Sequence, residues 1–211
     1  MATIPYDERL EHLLATAARV FADQGYHATT MRDLARATGM SLAGMYYYVQ
    51  GKDQLLFLIQ ERCFQQVLAG ANAAVAEAAG PAERITRFIQ HHLGFFASHM
   101  SEMKVLSHEA KSLSGPRLDR INRLKRRYVE LLAGLIADLG ADGDEPRSAP
   151  ERGGRPDPRI AAYGLFGMMN WIYTWYDPKG PVSPETLADH FAQLFLTGAA
   201  GNPSAVAQGG L

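Results

Sequence analysis

Apolar residues recur along most of the chain at the three- and four-residue spacing that places them on one face of an α-helix. The first such pattern ends at Gly25 and contains Leu10, Leu13, Leu14, Ala17, Ala18 and Phe21. Two short patterns follow, one capped by Thr30 and ended by Gly39, the other capped by Ser41 and ended near Gly51. Alternation typical of a strand is nearly absent, so the chain is predicted to be all-α with about nine helices.

Longer apolar patterns occupy the rest of the chain, separated by glycine, proline and charged residues. A long helix is predicted from Lys52 to about Ala78, where Gly80 and Pro81 break it. The segment 140–158 is rich in glycine, proline and charge and is predicted to be a mobile loop, and the tail 201–211 is predicted to be disordered. Further helical patterns cover residues 85–96, 103–106, 115–139, 157–176 and 183–195.

One segment, Ile160–Tyr176, has 17 consecutive uncharged residues, the lower end of the roughly 17 to 25 that cross a bilayer. It contains Asn170 and Thr174, and no second such segment accompanies it. A helix buried in a soluble assembly is therefore favoured over a membrane span. The N-terminus lacks a signal-peptide pattern, and the only cysteine, Cys63, excludes an internal disulfide, so the protein is predicted to be cytoplasmic.

Three consecutive tyrosines, Tyr46, Tyr47 and Tyr48, lie in the third predicted helix. Neighbours in an α-helix are about 100° apart, so these rings cannot all face one core. Two short helices that follow a longer one, separated by a glycine turn, are the parts of a helix-turn-helix module, whose second short helix enters the major groove of DNA. The small residues Ala43 and Gly44 would let this helix approach the bases closely.

The two faces of this helix have different expected roles. Met45 and Val49 are predicted to join the core, while Tyr48 lies between the faces, with its ring partly packed and its hydroxyl near the DNA backbone. The alternative is that the tyrosines only pack a three-helix subdomain. The side chains predicted to face the groove are those of Leu42, Ala43, Tyr46 and Tyr47.

The charge of the chain does not by itself indicate DNA binding. The net charge is −1, and residues 1–55 hold six acidic and five basic side chains, so any DNA contact must be local. Backbone N–H groups and the positive dipole end at a helix start suit a phosphate, which predicts contacts at Thr30, Ser41 and Lys52. Arg32 adds a full charge, and so few cations imply a modest salt dependence of binding.

In register over residues 8–55, the chain resembles the DNA-binding domain of TetR-family transcriptional regulators. The matching segments are Thr29–Ala35, Gly39–Ser41, Met45–Val49 and Lys52–Leu55. Family members usually have glycine at position 43 and threonine or serine at position 44, where this chain has Ala43 and Gly44, a departure that concerns the operator sequence and not the fold. The resemblance implies phosphate and base contacts by Arg32, Leu42, Tyr46, Tyr47, Tyr48 and Lys52.

The resemblance also implies two functional domains, a DNA-binding domain in residues 1–51 and an effector-binding and dimerisation domain in residues 52–200. The last two helices are expected to form a four-helix bundle across a two-fold axis, which implies a homodimer on a palindromic DNA operator. The candidate interface residues combine small and bulky side chains and are Gly164, Gly167, Trp171, Trp175, Phe191 and Phe195.

Residues 108–132, 167–171 and 175–176 resemble the subgroup of this family that responds to acyl-CoA thioesters from lipid, sterol or aromatic-acid catabolism. An apolar cavity with a few polar groups would suit such an effector. The basic run 117–127 either binds CoA phosphates or is a solvated face. The candidate ligand-binding residues are Phe88, His92, Phe96, Met103, Leu106, Arg123, Arg127, Tyr128, Phe166, Asn170 and Tyr173.

Three further residues have competing interpretations. Asn170 hydrogen-bonds either the ligand or the partner subunit. His92 is either a ligand contact or a satisfied core histidine, and Cys63 is assigned to packing.

No complete catalytic or metal-binding motif is found. Gly39–Ala43 approaches the nucleophile elbow G-x-S-x-G, but a helix precedes it where the elbow needs a strand. His108 and Glu109 begin a zinc-protease pattern that fails at Ser112, and the histidine spacing does not indicate a metal site. We therefore expect no enzyme activity, no cofactor and no metal.

Together these features predict a dimeric, ligand-responsive repressor. Effector binding against the long helix from Lys52 would tilt that helix and move the DNA-binding heads out of register. A coupling of about 1 to 3 kcal/mol would give roughly 5- to 150-fold derepression. One alternative is a multidrug-type sensor of hydrophobic cations, which would need buried carboxylates; another is an enzyme or carrier that binds acyl-CoA.

Overall fold

The computed structural model describes residues 5–141 and 157–199, and it confirms the all-α prediction: that part of the chain contains nine α-helices, one short 3-10 helix (Trp171–Thr174) and no strand. The predicted loop 140–158, except for its ends, and the predicted tail 201–211 lie outside the described residues. The α-helices are α1 (Tyr6–Gln24), α2 (Met31–Thr38), α3 (Leu42–Tyr48), α4 (Lys52–Ala76), α5 (Pro81–Ser98), α6 (Met100–His108), α7 (Gly115–Ala141), α8 (Pro158–Asn170) and α9 (Pro184–Ala199).

The short helices α2 and α3 begin at side-chain caps. The Thr30 hydroxyl accepts a hydrogen bond from the Asp33 N–H at 3.2 Å, and the Asp33 carboxylate accepts one from the Thr30 N–H at 3.0 Å. Gly39 ends α2 in the left-handed conformation, with φ at +68°. The Ser41 hydroxyl then accepts from the Gly44 N–H at 2.9 Å and starts α3. Both caps lie where the sequence pattern predicted them.

The chain divides into two compact units. The first contains the described residues up to Gln66 together with His99–Arg126, and in it α1 packs against α2 and α6. The second contains Val67–Ser98 and the described residues from Arg127 onward, and in it α5 packs against α8 and α9. The predicted functional domains, residues 1–51 and 52–200, stay a prediction.

The uncharged segment differs from the single continuous helix that its composition predicted. The α-helix stops at Asn170 and tightens into the 3-10 helix, where the Thr174 hydroxyl donates to the Trp171 carbonyl at 2.7 Å. One face of α8 is buried within the chain, whereas Trp171 and Trp175 are exposed. Within residues 5–141 and 157–199, no helix has the length and hydropathy of a membrane span.

A close approach between α4 and α5 in the second unit requires a glycine. A Cβ atom added to Gly70 would lie 2.2 Å from His91 Cε1 and 2.7 Å from His91 Nε2. The His91 ring is held in place because its Nε2–H donates to the Val67 carbonyl at 3.1 Å. Packing thus explains a residue that, inside a helix, costs about 1 kcal/mol relative to alanine.

We expect Gly70→Ala to lower the free energy of unfolding by about 1 to 3 kcal/mol, because the added methyl group displaces His91 from its hydrogen bond. Chemical denaturation measures the change. The matched control is Gly134→Ala in α7. Gly134 is exposed, and a Cβ atom added there has no neighbour within 4 Å, so the free energy of unfolding should rise by up to about 1 kcal/mol. Equal stabilisation of both variants would contradict the packing argument.

Candidate nucleic-acid interface and effector site

Helix α3 has one buried and one exposed face, as the sequence pattern predicted. Met45 is fully buried and Val49 is 2 % exposed, so both belong to the core. On the other face, the exposed fractions of Leu42, Tyr46 and Tyr47 are 36 %, 50 % and 75 %. This helix of seven residues thus exposes three large side chains to solvent, and two of them are aromatic.

The Tyr48 ring is half-buried, and its partner was missed by the sequence reasoning. It stacks on Tyr6, the first residue of α1, with ring centroids 4.8 Å apart and planes inclined by 28°. The Tyr47 ring meets Tyr48 edge-on at 5.2 Å and Tyr6 edge-on at 6.0 Å. Such offset and edge contacts are the favoured geometries of aromatic pairs, so Tyr6 orients the two tyrosines from a different helix.

Gly44 lies where a side chain would disturb the cap of α3. A Cβ atom added there would lie 3.0 Å from the Ser41 hydroxyl oxygen, which accepts the Gly44 N–H. A larger residue would therefore require the Ser41 side chain to move. Gly44 therefore lets the Ser41 cap form without a steric conflict at the start of α3.

The Lys52 side chain has partners within the chain, and its predicted phosphate contact stays a prediction. Its ammonium donates to the backbone carbonyls of Tyr26 at 2.8 Å, Thr29 at 2.9 Å and His27 at 3.3 Å, which uses its three hydrogens. It also lies 4.5 Å from the centroid of the Tyr26 ring. Lys52 therefore braces the segment before α2 against the start of α4, while its backbone N–H lies at a helix start that suits a phosphate.

The same brace includes a hydrogen bond from the Tyr26 hydroxyl to the Asp53 carboxylate. Burial, and then the hydrogen bond and charge of Asp53, raise the pKa of Tyr26. Arg117 in α7 lines an open pocket of about 280 Å³ at the start of α4, together with residues 50–54. Arg117 belongs to the basic run 117–127, and its position in the sequence alone did not predict that it would lie at this end of α4.

A cluster of aromatic rings surrounds His92 in the second unit. The centroid of its ring lies 4.8 Å from that of Phe96, 5.7 Å from Phe166, 5.9 Å from Tyr128 and 6.4 Å from Phe88. Nδ1 of His92 lies 3.0 Å from the Tyr128 hydroxyl oxygen, while Nε2 has no partner of normal hydrogen-bond geometry in the part of the chain that the structure describes. Burial, and then the neighbouring His91, lower the pKa of His92 to about 3, so the imidazole is neutral near pH 7.

The remaining candidate ligand residues have other surroundings. Met103 and Leu106 are buried in the first unit, to which Arg123 also belongs. Tyr173 is half-buried, and Asn170, Arg123 and Arg127 are exposed.

Within the basic run, Arg120 pairs with Glu61 at 2.7 Å. Lys125 lies 5.6 Å from the Phe64 ring, and burial lowers the pKa of Lys125. Part of the run therefore has a structural role. This role is a third possibility beside the two predicted ones, binding of CoA phosphates and a solvated face.

Around α8 and α9, exposed apolar side chains accompany the predicted dimer interface. Gly164 and Gly167 are exposed, Trp171 and Trp175 are 60 % and 56 % exposed, and Phe191 and Phe195 are half-buried. Three further large side chains that the sequence reasoning omitted are exposed in the same helices: Ile160, Tyr163 and Leu194.

Two family sequence models match the chain. The model described as bacterial regulatory proteins of the tetR family matches residues 13–59, which include α2 and α3. The model described as tetracyclin repressor-like, C-terminal domain, matches residues 78–199, more than half of the chain. The chain belongs to the TetR family. The fold and the family that the sequence resemblance implied are thereby confirmed.

Curated relatives in this family are transcriptional regulators. The regulator BetI of Rhizobium meliloti is 32 % identical over 142 residues, which are 65 % of this chain and 69 % of BetI. The transcriptional repressor KstR2 of Mycolicibacterium smegmatis is 24 % identical over 193 residues, 90 % of each protein.

Solved structures of the family are also similar. AibR, crystallised with isovaleryl coenzyme A and operator DNA, has a TM-score of 0.75 and 29 % identity, covering 88 % of this chain and 97 % of AibR. KstR2 of Mycobacterium tuberculosis has a TM-score of 0.80 at 22 % identity, over 93 % of this chain and 97 % of KstR2, and supports the fold alone.

Proposed function

We propose that this TetR-family protein is a DNA-binding transcriptional repressor that acts as a homodimer on a palindromic operator and is released by an acyl-CoA thioester. The observation that carries the proposal is the exposed face of α3, where Leu42, Tyr46 and Tyr47 project from the second short helix of a helix-turn-helix module. Packing within the chain gives no reason to expose them.

DNA contact in this proposal depends on few charges. Tyr46 and Tyr47 touch bases and sugars with their rings and phosphates with their hydroxyls, and Leu42 contacts a thymine methyl or sugar. The helix starts at Thr30, Ser41 and Lys52 offer backbone N–H groups to phosphates, and the exposed Arg32 adds the charge. Because the Lys52 ammonium is used internally, the salt dependence is expected to be modest.

The effector class is supported by AibR, which is 29 % identical and was crystallised with isovaleryl coenzyme A. The aromatic cluster around His92 offers an apolar environment for an acyl chain. A sensor of hydrophobic cations is disfavoured, because the buried polar side chains among the described residues include no carboxylate. They are those of Thr16, Thr29, Gln60 and His92.

A titration with the protein's own upstream DNA tests the proposal. Fluorescence anisotropy of a labelled fragment should show sequence-specific binding by a dimer, and a panel of acyl-CoAs with short, long, branched, sterol and aromatic acyl groups should reverse it in at least one case. Free CoA and the free acids are the controls. Absence of a specific complex would overturn the repressor assignment, whereas a complex indifferent to every thioester would overturn only the effector class.

A further inference from the structure

The second unit contains a buried polar atom for which the described residues provide no hydrogen bond of normal geometry. Among residues 5–141 and 157–199, no group is placed to hydrogen-bond Nε2 of His92 with normal geometry, although the side chain is buried. A buried donor or acceptor left without a partner is unfavourable, because burial removes its hydrogen bonds to water and nothing replaces them. An apolar side chain of the same shape would avoid this cost, so the structure keeps an unfavourable group inside an otherwise apolar ring cluster.

The state of the imidazole follows from its surroundings. Since the pKa of His92 is held far below neutral by burial, one ring nitrogen carries a hydrogen and the other accepts. Nδ1 is engaged with the Tyr128 hydroxyl at 3.0 Å. When that hydroxyl donates to Nδ1, the hydrogen is on Nε2, which becomes a donor that lacks an acceptor.

Asn170 is exposed and lies one helical turn after Phe166 in α8. Its side chain acts on His92 as a weak hydrogen-bond partner, which opposes the lowering of the pKa of His92. No hydrogen bond of normal geometry reaches Nε2 from it. Because aromatic rings surround His92, a ligand that enters from the Asn170 side would have to displace one of them, and Phe166, 5.7 Å from His92 between ring centroids, is the candidate.

We propose that Nε2–H of His92 recognises the thioester carbonyl of the effector, with the acyl chain among Phe88, Phe96 and Phe166. In this proposal Tyr128 is the positioning residue, whose hydroxyl donates to Nδ1 and so leaves the hydrogen on Nε2. This inference depends on the proposed effector class. An acyl-CoA carries an acceptor at the junction of its apolar chain and its polar carrier, which is the arrangement that a single donor within an aromatic cluster would select. The Nε2–H group needs a carbonyl oxygen as its acceptor. The pantetheine amides of CoA also carry such an oxygen, so the test must distinguish them from the thioester.

A ligand pair separates these carbonyls. The acyl-CoA that releases the wild-type protein from DNA is compared with the S-alkyl-CoA thioether of the same chain length, which lacks only the thioester carbonyl. We expect the wild-type protein to bind the thioether about 10-fold more weakly, and His92→Phe to bind both ligands equally, with the weaker affinity. Tyr128→Phe, which keeps the ring, should reduce the discrimination to about 3-fold. Calorimetry on the full-length dimers measures each affinity.

Folding is checked separately, since His92→Phe leaves the Tyr128 hydroxyl without its imidazole partner. The double variant His92→Phe with Tyr128→Phe removes both polar groups and should unfold at the wild-type temperature or above. Retention of 10-fold discrimination by the His92 variants, or its absence in the wild-type protein, would overturn the His92 assignment while the effector class stands. Failure of every thioester to release the wild-type protein would overturn both.

Discussion

Tyr47→Ala is expected to weaken operator binding by the dimer by at least about 30-fold, while the loss of the edge contacts with Tyr6 and Tyr48 lowers the free energy of unfolding by no more than about 1.5 kcal/mol. The side chain is 75 % exposed, so its removal creates no cavity. Each half-site loses roughly 1 to 3 kcal/mol of contact, and the loss occurs twice in a two-fold symmetric complex. Anisotropy titration of the operator and chemical denaturation of the same samples supply the two measurements.

The matched variant is Tyr47→Phe, which keeps the edge contacts with Tyr6 and Tyr48 and removes only the hydroxyl. If the hydroxyl binds a phosphate, this variant should lose affinity equally on specific and random DNA. If the ring contacts bases, the alanine variant should lose more affinity on the operator than on random DNA. A stability loss above about 2 kcal/mol in Tyr47→Ala would show that the side chain belongs to the core.

Local features of the first unit were predictable from sequence, because they depend on residues three or four positions apart. The capping box of Thr30 and Asp33 and the division of α3 into two faces are of this kind. Contacts between distant segments were not predictable. Tyr6 stacks on a residue 42 positions later in the sequence, and Lys52 bonds carbonyls that precede α2. A long flexible side chain at a helix start reaches either a phosphate or its own protein, and spacing alone does not choose between them.

In the second unit, the shared helix face of Phe88, His92 and Phe96 correctly predicted that these rings lie together. Spacing could not assign Met103 and Leu106, because a short helix between two longer ones packs with either, and the structure places both in the first unit. The unsatisfied Nε2 of His92 likewise depends on what surrounds the ring in three dimensions. Residue type predicted only that a buried histidine would need a partner.

Gly167→Arg is expected to convert the dimer into a monomer and to lower operator affinity by more than about 100-fold. Ile160, Gly164, Gly167 and Trp171 follow one another at helical spacing, and all four are exposed in the single chain. A Cβ atom at position 167 meets nothing within 4 Å, so the substitution leaves the monomer unstrained. In the proposed interface, however, a guanidinium would be buried without a partner, which costs several kcal/mol.

Light scattering after size-exclusion chromatography gives the oligomeric state, and the operator titration gives the consequence. Gly134→Arg introduces the same side chain at an equally open glycine of α7 and should leave both measurements unchanged. A Gly167→Arg protein that stays dimeric would place the interface away from this face of α8. Because two heads on one palindrome bind as a bivalent unit, loss of the dimer removes the second contact even though each α3 helix is intact.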